Sequence, residues 1–300
     1  MKTEFPEKVC AYSRRLAASS PRFALQAYDG EAGRRDAGTD DGYGPDPFGE
    51  LAHASKCHGL KQRFPDRVLV MTTDRCFMNC RHCTRRGLLG SAEVVRTRAQ
   101  LDACIAYVRS HPDVRDVLLS GGDILTLPDA AVFGFVEAFA ALDQVDVVRV
   151  CTRAPCTNPA RVTRRLAQGL GKTGKVWVNT QFNCADEVTE EAKRAAARLV
   201  GAGIPVSCQT VLLRGVNDSA GELLRLFRAL SAARIRPYYV FQCDPVAGIS
   251  RFRVPLEKAV ALERECAGKI GGLSLPRFVA DVPGAGRKMP VAELLQGEQK

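Results

Sequence analysis

Three cysteines in one short segment, TTDRCFMNCRHCTRRG, have the residue type and spacing of a metal site. Cys76, Cys80 and Cys83 are spaced C-x3-C-x2-C. Three thiolates from one loop can bind three irons of a [4Fe–4S] cluster and leave the fourth iron open to a small molecule. A structural zinc site needs four protein ligands, and no second cysteine pair lies near in sequence. A redox pair of Cys80 and Cys83 would leave Cys76 without a role. The spacing therefore favours a cluster over zinc or redox thiols.

A second feature is the glycine-rich sequence SGGD, Ser120–Asp123. Glycines let a backbone come close to a ligand, because they carry no Cβ. Taken alone, the sequence would be an ordinary tight turn with a helix cap. Its meaning depends on whether it lies beside the cysteines in the fold.

The elements that must position these residues follow from the hydrophobic pattern. From residue 66 onward, short runs rich in β-branched residues alternate with amphipathic stretches of helix length. The predicted strands are Arg67–Thr73, Asp116–Ser120, Val145–Thr152, Lys175–Phe182, Pro205–Leu212 and Arg236–Gln242. The predicted helices are 97–110, 128–142, 159–169, 189–202 and 219–232. Such alternation predicts an α/β fold with a parallel sheet, either doubly wound or a partial (β/α)6 barrel.

Polar residues at the ends of the predicted strands favour the open barrel. Strand after strand ends in side chains such as Asp74, Asp123, Gln181, Gln209 and Asp244. In (β/α) barrels the site is built at the C-terminal ends of the strands. We therefore expect one shared cavity there. The expected divisions are an N-terminal arm of helix and loop (1–60), the partial barrel (61–245) and a C-terminal segment (246–300).

Composition and charge restrict the class of protein. The chain has 300 residues, 46% apolar and 25% charged, as in a globular enzyme. It has neither an apolar run of about 18 residues nor a signal-peptide core, so we expect a cytoplasmic protein without a membrane span. The net charge of +10 comes from dispersed Lys and Arg residues. Phosphate and carboxylate ligands explain such a charge as well as nucleic acid does.

The cysteine motif after the first parallel strand, followed by SGGD after the second, resembles the radical S-adenosylmethionine (SAM) superfamily. The resemblance implies a [4Fe–4S] cluster whose open iron is chelated by the methionine part of SAM. It also implies reductive cleavage of SAM to a 5′-deoxyadenosyl radical. The SAM-binding residues that it implies are Ser120, Gly121, Gly122, Asp123, Gln181 and Gln209.

A narrower resemblance, to lysine 2,3-aminomutases, covers roughly residues 60–291 in collinear order. The stretches that carry it are RFPDRVLVMTTDRC (63–76), CRHCTRRG (80–87), DVLLSGGD (116–123), VWVNTQFN (176–183), QTVLLRGVND (209–218), RPYYVFQCD (236–244) and DVPGAGRKMPV (281–291). The family resemblance implies an isomerase, an intramolecular aminotransferase that moves the α-amino group of L-lysine to the β carbon. Such a shift uses an imine of pyridoxal phosphate, whose π-system can accept the radical.

The same resemblance assigns roles to residues. Lys288, in PGAGRKMPV, is implied to form the imine. The full implied set for pyridoxal phosphate is Arg63, Arg67, His82, Arg153, Phe241 and Lys288. Arg85 is implied to hold the substrate carboxylate, and Asp244 and Asp281 to face its distal ammonium. Two carboxylates give a buried cation the pairing that it needs away from water.

The chain also departs from the family pattern. Gln181 stands where lysine mutases have His, and Phe241 and Phe64 stand where they have Tyr. These changes leave lysine, ornithine and arginine open as substrates. A radical SAM enzyme that modifies nucleic acid remains the alternative from another class. A binding module that has lost its catalytic chemistry is the weakest alternative.

Partners and metals complete the expectations. The resemblance implies a small-molecule amino-acid substrate and an electron donor such as flavodoxin or ferredoxin. Long lysine mutases join subunits through zinc, with a ligand at the position of Ser219 and others in an extension beyond Lys300. We therefore expect no zinc, and a monomer or a zinc-free homodimer.

Overall fold

The computed structural model describes residues 5–30, 43–46, 57–87 and 95–298. One sheet of nine strands organises this part of the chain. Its strands are β1 (Leu60–Phe64), β2 (Arg67–Thr73), β3 (Asp116–Gly121), β4 (Val147–Cys151), β5 (Val176–Thr180), β6 (Val206–Leu212), β7 (Arg236–Gln242), β8 (Arg277–Asp281) and β9 (Lys288–Pro290). Neighbouring strands follow chain order from β1 to β9. A doubly wound sheet reverses its strand order, so this uninterrupted order is that of a barrel.

The sheet is parallel in its centre and antiparallel at its two edges. Strands β2 to β8 pair in parallel, whereas β1 and β9 each form a hairpin with the adjoining strand. No pairing joins β1 to β9 in the described ranges. The expected open partial barrel is therefore confirmed. The six predicted strands are present, and β1, β8 and β9 are additions to them.

Helices follow most of the parallel strands and cover one face of the sheet. They are α1 (Ala11–Ser19), α2 (Pro21–Ala27), α3 (Arg98–Arg109), α4 (Asp129–Ala140), α5 (Ala154–Thr157), α6 (Arg164–Gly171), α7 (Glu190–Gly201), α8 (Ala220–Ala232), α9 (Leu256–Ala267) and α10 (Val291–Glu298). Short 3-10 helices lie at Ile124–Thr126, Pro159–Arg161, Ala185–Glu187 and Ser250–Phe252. Side chains of Thr97, Thr163, Thr189 and Ser219 accept hydrogen bonds from the first turns of α3, α6, α7 and α8, which fixes where these helices begin. No helix in the described part of the chain is long and apolar enough to cross a bilayer.

Alternate residues of each strand face opposite sides of the sheet. In β2, β3 and β4 the outward valines and leucines are fully buried under the helices and form the core. The residues between them, such as Leu69, Leu118 and Arg149, are only partly buried and face inward. The apolar core therefore lies between the outer face of the sheet and the helices, and a polar cavity lies on the inner face of the sheet.

The N-terminal arm supports the cysteine loop through backbone hydrogen bonds. The amide of Cys10 donates to the carbonyl of Phe77 at 3.0 Å, and that of Asn79 donates to Lys8 at 2.8 Å. The amide of Arg81 donates to the carbonyl of Gln26, in α2, at 2.8 Å. Residues 29–50, whose Gly- and Asp-rich composition predicts a loop, lie mostly outside the described residues. The expected division of the chain at 60 and 245 stays a prediction, and the C-terminal segment adds β8 and β9 to the common sheet.

Candidate active site

The inner face of the barrel encloses a cavity of about 330 Å³. Residues from both edge hairpins, from the parallel strands and from the end of the cysteine loop line it. Of the residues singled out in the sequence, those in its wall are Arg63, Arg67, Arg85, Ser120, Gln181, Gln209, Phe241, Asp244, Asp281 and Lys288. Of the five polar residues expected at strand ends, Gln181, Gln209 and Asp244 share this cavity, whereas Asp74 and Asp123 do not line it.

Lys288 enters this cavity because the β8–β9 hairpin pairs it directly with Asp281. Its Nζ donates to Oδ2 of Asp281, and Oδ1 of the same carboxylate accepts from Nη2 of Arg63 at 3.2 Å. Since Arg63 lies on β1, this carboxylate joins the two edges of the open sheet. The rings of Phe241 and Phe64 lie 5.1 and 5.9 Å from Nζ. A lysine amine flanked by two aromatic rings is suited to a flat aromatic aldehyde.

Asp244 is the second carboxylate of the cavity and lies just past the end of β7. Burial, followed by repulsion from Asp281, raises the pKa of Asp244 to about 7. Lys288 and Arg63 act in the opposite direction without offsetting these effects. A buried carboxylate of this kind is stabilised by an added cation, because a nearby positive charge favours its ionised form.

Arg67 provides positive charge elsewhere in the cavity wall. Its guanidinium lies over the ring of Phe64 at 4.2 Å, and its Nε has no hydrogen-bond partner among the described residues. The nearest charge is Oδ1 of Asp66, at 3.3 Å from Nε. The guanidinium is only partly buried, and it is suited to phosphate because arginine binds phosphate through several N–H groups.

Cys76, Cys80 and Cys83 follow β2 directly and are partly buried. Burial, with Cys80 as the next cause, raises the pKa of the Cys83 thiol to about 11, and burial also raises the pKa of Cys76. In the described ranges, no three acidic, histidine or cysteine side chains converge on a single-ion site. Because each thiolate of a [4Fe–4S] cluster binds a different iron, the cysteines need not converge on one point. A coordinating metal also deprotonates its thiol ligands, so these residues fit a cluster.

The SGGD turn holds the cysteine loop in place through its backbone. Gly121 has a φ of +106°, and a Cβ at that position would lie 2.6 Å from the carbonyl oxygen of Thr73. The amide of Gly122 donates to that oxygen at 2.6 Å, and the amide of Asp123 donates to the carbonyl of Arg75 at 2.7 Å. The glycines were expected to admit a ligand. In the structure they allow the backbone of Thr73 and Arg75, which leads into the cysteine loop, to approach closely.

The carboxylate of Asp123 is already occupied by protein donors. It accepts from the amide of Leu125 at 3.0 Å, from Oγ1 of Thr152 at 2.6 Å and from the amide of Arg153 at 2.8 Å. Its role is thus to tie β3 to the end of β4. The SAM-binding role that the resemblance implies for Asp123 stays a prediction, and its carboxylate is bonded here to protein donors. Ser120 faces the cavity, and Gly121 and Gly122 contribute backbone.

Gln181 and Gln209 lie in the cavity wall, Gln181 directly after β5 and Gln209 in the middle of β6. Nε2 of Gln181 lies 3.0 Å from Nε2 of His82. Arg85 lies in the same wall, two residues past the last cysteine. The end of the cysteine loop and the lysine hairpin therefore border one cavity.

His82 and Arg153 lie outside the cavity wall, against the expectation that they approach a cofactor phosphate. His82 is a buried residue of the cysteine loop itself, and burial lowers its pKa well below the usual value. Arg153 donates from Nη1 to Sγ of Cys80 at 2.8 Å and from Nη2 to Oε1 of Gln26 at 2.6 Å. Its guanidinium therefore contacts the cysteine loop and not the cavity.

Sequence reasoning missed several residues of the cavity wall: Lys61, Thr84, Arg149, Cys151, Tyr238 and Tyr239. Nε of Arg149 donates to Oδ1 of Asp116 at 3.0 Å across two neighbouring strands. A signal for Arg149 was present, because a buried parallel strand normally reads as an unbroken apolar run. An arginine inside VVRVC marks an inward-facing position.

Comparison with known proteins agrees with this architecture. The radical SAM superfamily model matches residues 70–227. The L-lysine 2,3-aminomutase of Fusobacterium nucleatum is 44% identical over 233 residues, which are 78% of this chain and 55% of that protein. The putative L-lysine 2,3-aminomutase of Treponema pallidum is 37% identical over 249 residues, 83% of this chain and 70% of that protein.

A radical SAM methyltransferase from Sphaerobacter thermophilus shares the fold, with a TM-score of 0.56 and 17% identity over 73% of this chain and 68% of that one. The chain spans about half the length of the first curated relatives that it matches. The superfamily match and the collinear relatives nevertheless agree with the cysteine loop, the glycine turn and the open barrel. This chain belongs to the lysine 2,3-aminomutase family of radical SAM enzymes.

Proposed function

We propose that this protein is an isomerase that moves the α-amino group of a cationic amino acid, with L-lysine as its first candidate, to the β carbon. The observation that carries the proposal is the shared cavity, whose wall contains Lys288, the two carboxylates and Arg85, two residues past the last cysteine. When bound, the cluster supplies an electron that cleaves SAM, and pyridoxal phosphate holds the migrating nitrogen. A flavodoxin or ferredoxin would supply that electron.

Lys288 is the residue that we propose to bind pyridoxal phosphate covalently. Phe64 and Phe241 would flank the cofactor ring, and Arg67 would donate to its phosphate. Attachment there would take up N–H groups that the lysine ammonium now offers to Asp281. Asp281 would keep Arg63 as a partner and would have acceptor capacity for a substrate cation.

Asp244 and Asp281 would select that cation. Repulsion between the two carboxylates contributes to the raised pKa of Asp244, and an ammonium or guanidinium placed between them removes this cost. Arg85 would hold the carboxylate of the same substrate through a bidentate contact. A substrate with an acidic or an apolar side chain would bring no cation to Asp244 and would leave its repulsion from Asp281 in place.

The test is anaerobic incubation of the reconstituted protein with SAM, pyridoxal phosphate and a panel of amino acids, followed by derivatisation and mass spectrometry. Lysine, ornithine and arginine should be the substrates, with glutamate and alanine as the matched negative set. Better turnover of glutamate or alanine would overturn the proposed use of the two carboxylates.

Arginine or ornithine is the second candidate, since both carry a distal cation for Asp244 and Asp281. Gln181 and Phe241 stand where the lysine mutases have His and Tyr. These two differences are the reason to keep arginine and ornithine as alternative substrates. The panel above decides among them by relative kcat/KM.

A further inference from the structure

The end of β4 places a buried guanidinium against one of the cysteines. Nη1 of Arg153 donates to Sγ of Cys80 at 2.8 Å, and the residue is 8% exposed. A neutral thiol is a weak acceptor, whereas a thiolate is a charged one and pairs well with a guanidinium. The contact therefore suits a Cys80 whose sulfur is bound to iron.

A buried network fixes the orientation of that guanidinium. Nη2 of Arg153 donates to Oε1 of Gln26 at 2.6 Å and to Oε1 of Glu187 at 3.2 Å. Glu187 is fully buried and also accepts from Nε2 of Gln26 at 2.6 Å and from the amide of Asn183 at 2.8 Å. The cation thus faces Cys80, and its counter-ion lies on the side away from the sulfur.

An ion pair that only stabilises the fold needs no contact with a cysteine. The pair of Arg153 and Glu187 makes such a contact and leaves one N–H donor of Arg153 without a partner among the described residues. Nε of Arg153 is buried without a hydrogen-bond partner among the described residues. Hydrogen bonds and charges next to the sulfurs of an iron–sulfur cluster tune its reduction potential, because the reduced cluster carries one more negative charge. A donor fixed on Cys80 stabilises the reduced form more than the oxidised form.

We propose that Arg153 is a positioning residue that raises the reduction potential of the cluster through Cys80, and that Gln26 and Glu187 hold its guanidinium in place. The inference rests on the cluster of the proposed function, but not on its substrate. The step concerned is the uptake of one electron by the oxidised cluster from a low-potential reductant. The negative charge of Glu187 lowers the reduction potential, whereas the positive charge of Arg153 raises it.

The test is a potentiometric titration, followed by electron paramagnetic resonance, of the anaerobically reconstituted protein without SAM. Arg153→Gln should lower the reduction equilibrium constant at least tenfold, which is about 59 mV for one electron. Arg153→Lys keeps the charge and should recover part of this shift. Glu187→Gln should raise the potential.

Arg161→Gln is the matched control, because Arg161 is a half-buried arginine that bonds Asp129 and the carbonyls of Leu125 and Leu127. Its removal should leave the potential unchanged. Unchanged potentials in Arg153→Gln and Glu187→Gln, or shifts in the same direction, would overturn the proposal. Loss of the cluster in all three variants of Arg153 and Glu187 would also overturn it, because the network would then serve assembly alone. A wild-type protein that takes up the electron but moves no amino group would refute the proposed function and leave this inference standing.

Discussion

The glycine turn after β3 provides a sharp test of how the cysteine loop is held. A Cβ on Gly122 would lie 2.3 Å from the carbonyl oxygen of Arg75, 2.8 Å from its carbonyl carbon and 2.9 Å from its nitrogen. The closest approach is about 1 Å inside the 3.4 Å at which ordinary contact begins. All three atoms are backbone, so no side-chain rotation relieves the clash. Gly122→Ala must therefore displace the residue that directly precedes Cys76.

The size of the effect follows from what this displacement breaks. Overpacking of a close-packed site costs about 1–3 kcal/mol. The displacement also breaks the two backbone hydrogen bonds from Gly122 and Asp123 to the loop, at 2.6 and 2.7 Å, each worth about 1 kcal/mol. We expect the free energy of unfolding to fall by roughly 3–5 kcal/mol and Tm by roughly 6–20 °C, at about 2–4 °C per kcal/mol.

The assay is thermal unfolding of the cluster-free protein by circular dichroism, together with the iron and sulfide content after anaerobic reconstitution. Gly134→Ala is the control, because a Cβ on Gly134, in α4, meets nothing within 4 Å. That change should preserve the cluster and raise stability by up to about 1 kcal/mol, as alanine is the better helix former. A Gly122→Ala protein with wild-type Tm and a full complement of iron would refute the reasoning.

The remaining predictions concern metals, cofactor and substrate. Cys83→Ala should abolish cluster formation and release of 5′-deoxyadenosine, as measured by iron content and chromatography; full cleavage activity in that variant would contradict the ligand assignment. Borohydride treatment of the protein with pyridoxal phosphate should modify Lys288, and a modified peptide centred on another lysine would show that the site is misplaced. Asp281→Ala should reduce lysine kcat/KM by roughly 100-fold or more, since breaking a buried charge pair costs about 3–5 kcal/mol. A cationic substrate favours ionised Asp244, so its affinity should fall by up to about tenfold per pH unit below about 7; Asp244→Asn should remove this dependence in calorimetry. Ser219, whose hydroxyl accepts from the first turn of α8, is a poor zinc ligand. Metal analysis should find no tight zinc, and about one zinc per chain that survives mild chelation would contradict this.

The central strands could be predicted from the sequence because their pattern is local. Arg67–Thr73 and Arg236–Gln242 have in the structure the bounds that their apolar runs predict. The edge strands escaped prediction for a physical reason. The five residues of β1, LKQRF, are mostly polar, and β9 has three residues, so neither has a run long enough to show a period. Their position depends on hairpin pairing, which a local pattern does not encode.

The candidate site divides in a similar way. The family resemblance implied Lys288, Asp281 and Asp244, and the structure brings all three into one cavity. The surroundings of Asp123 and Arg153 could not be predicted. Both depend on how a turn packs against the neighbouring strand and the cysteine loop, which is a contact between segments that are far apart in sequence.

The central claim is that a nitrogen moves between neighbouring carbons of one cationic amino acid. The most direct measurement uses L-lysine with a heavy-nitrogen label in its α-amino group, incubated anaerobically with the reconstituted protein, SAM, pyridoxal phosphate and a reductant. The account predicts β-lysine that carries the label on the β carbon, and no product from the Lys288→Met protein. Formation of 5′-deoxyadenosine while labelled lysine, ornithine and arginine all remain unchanged would contradict it.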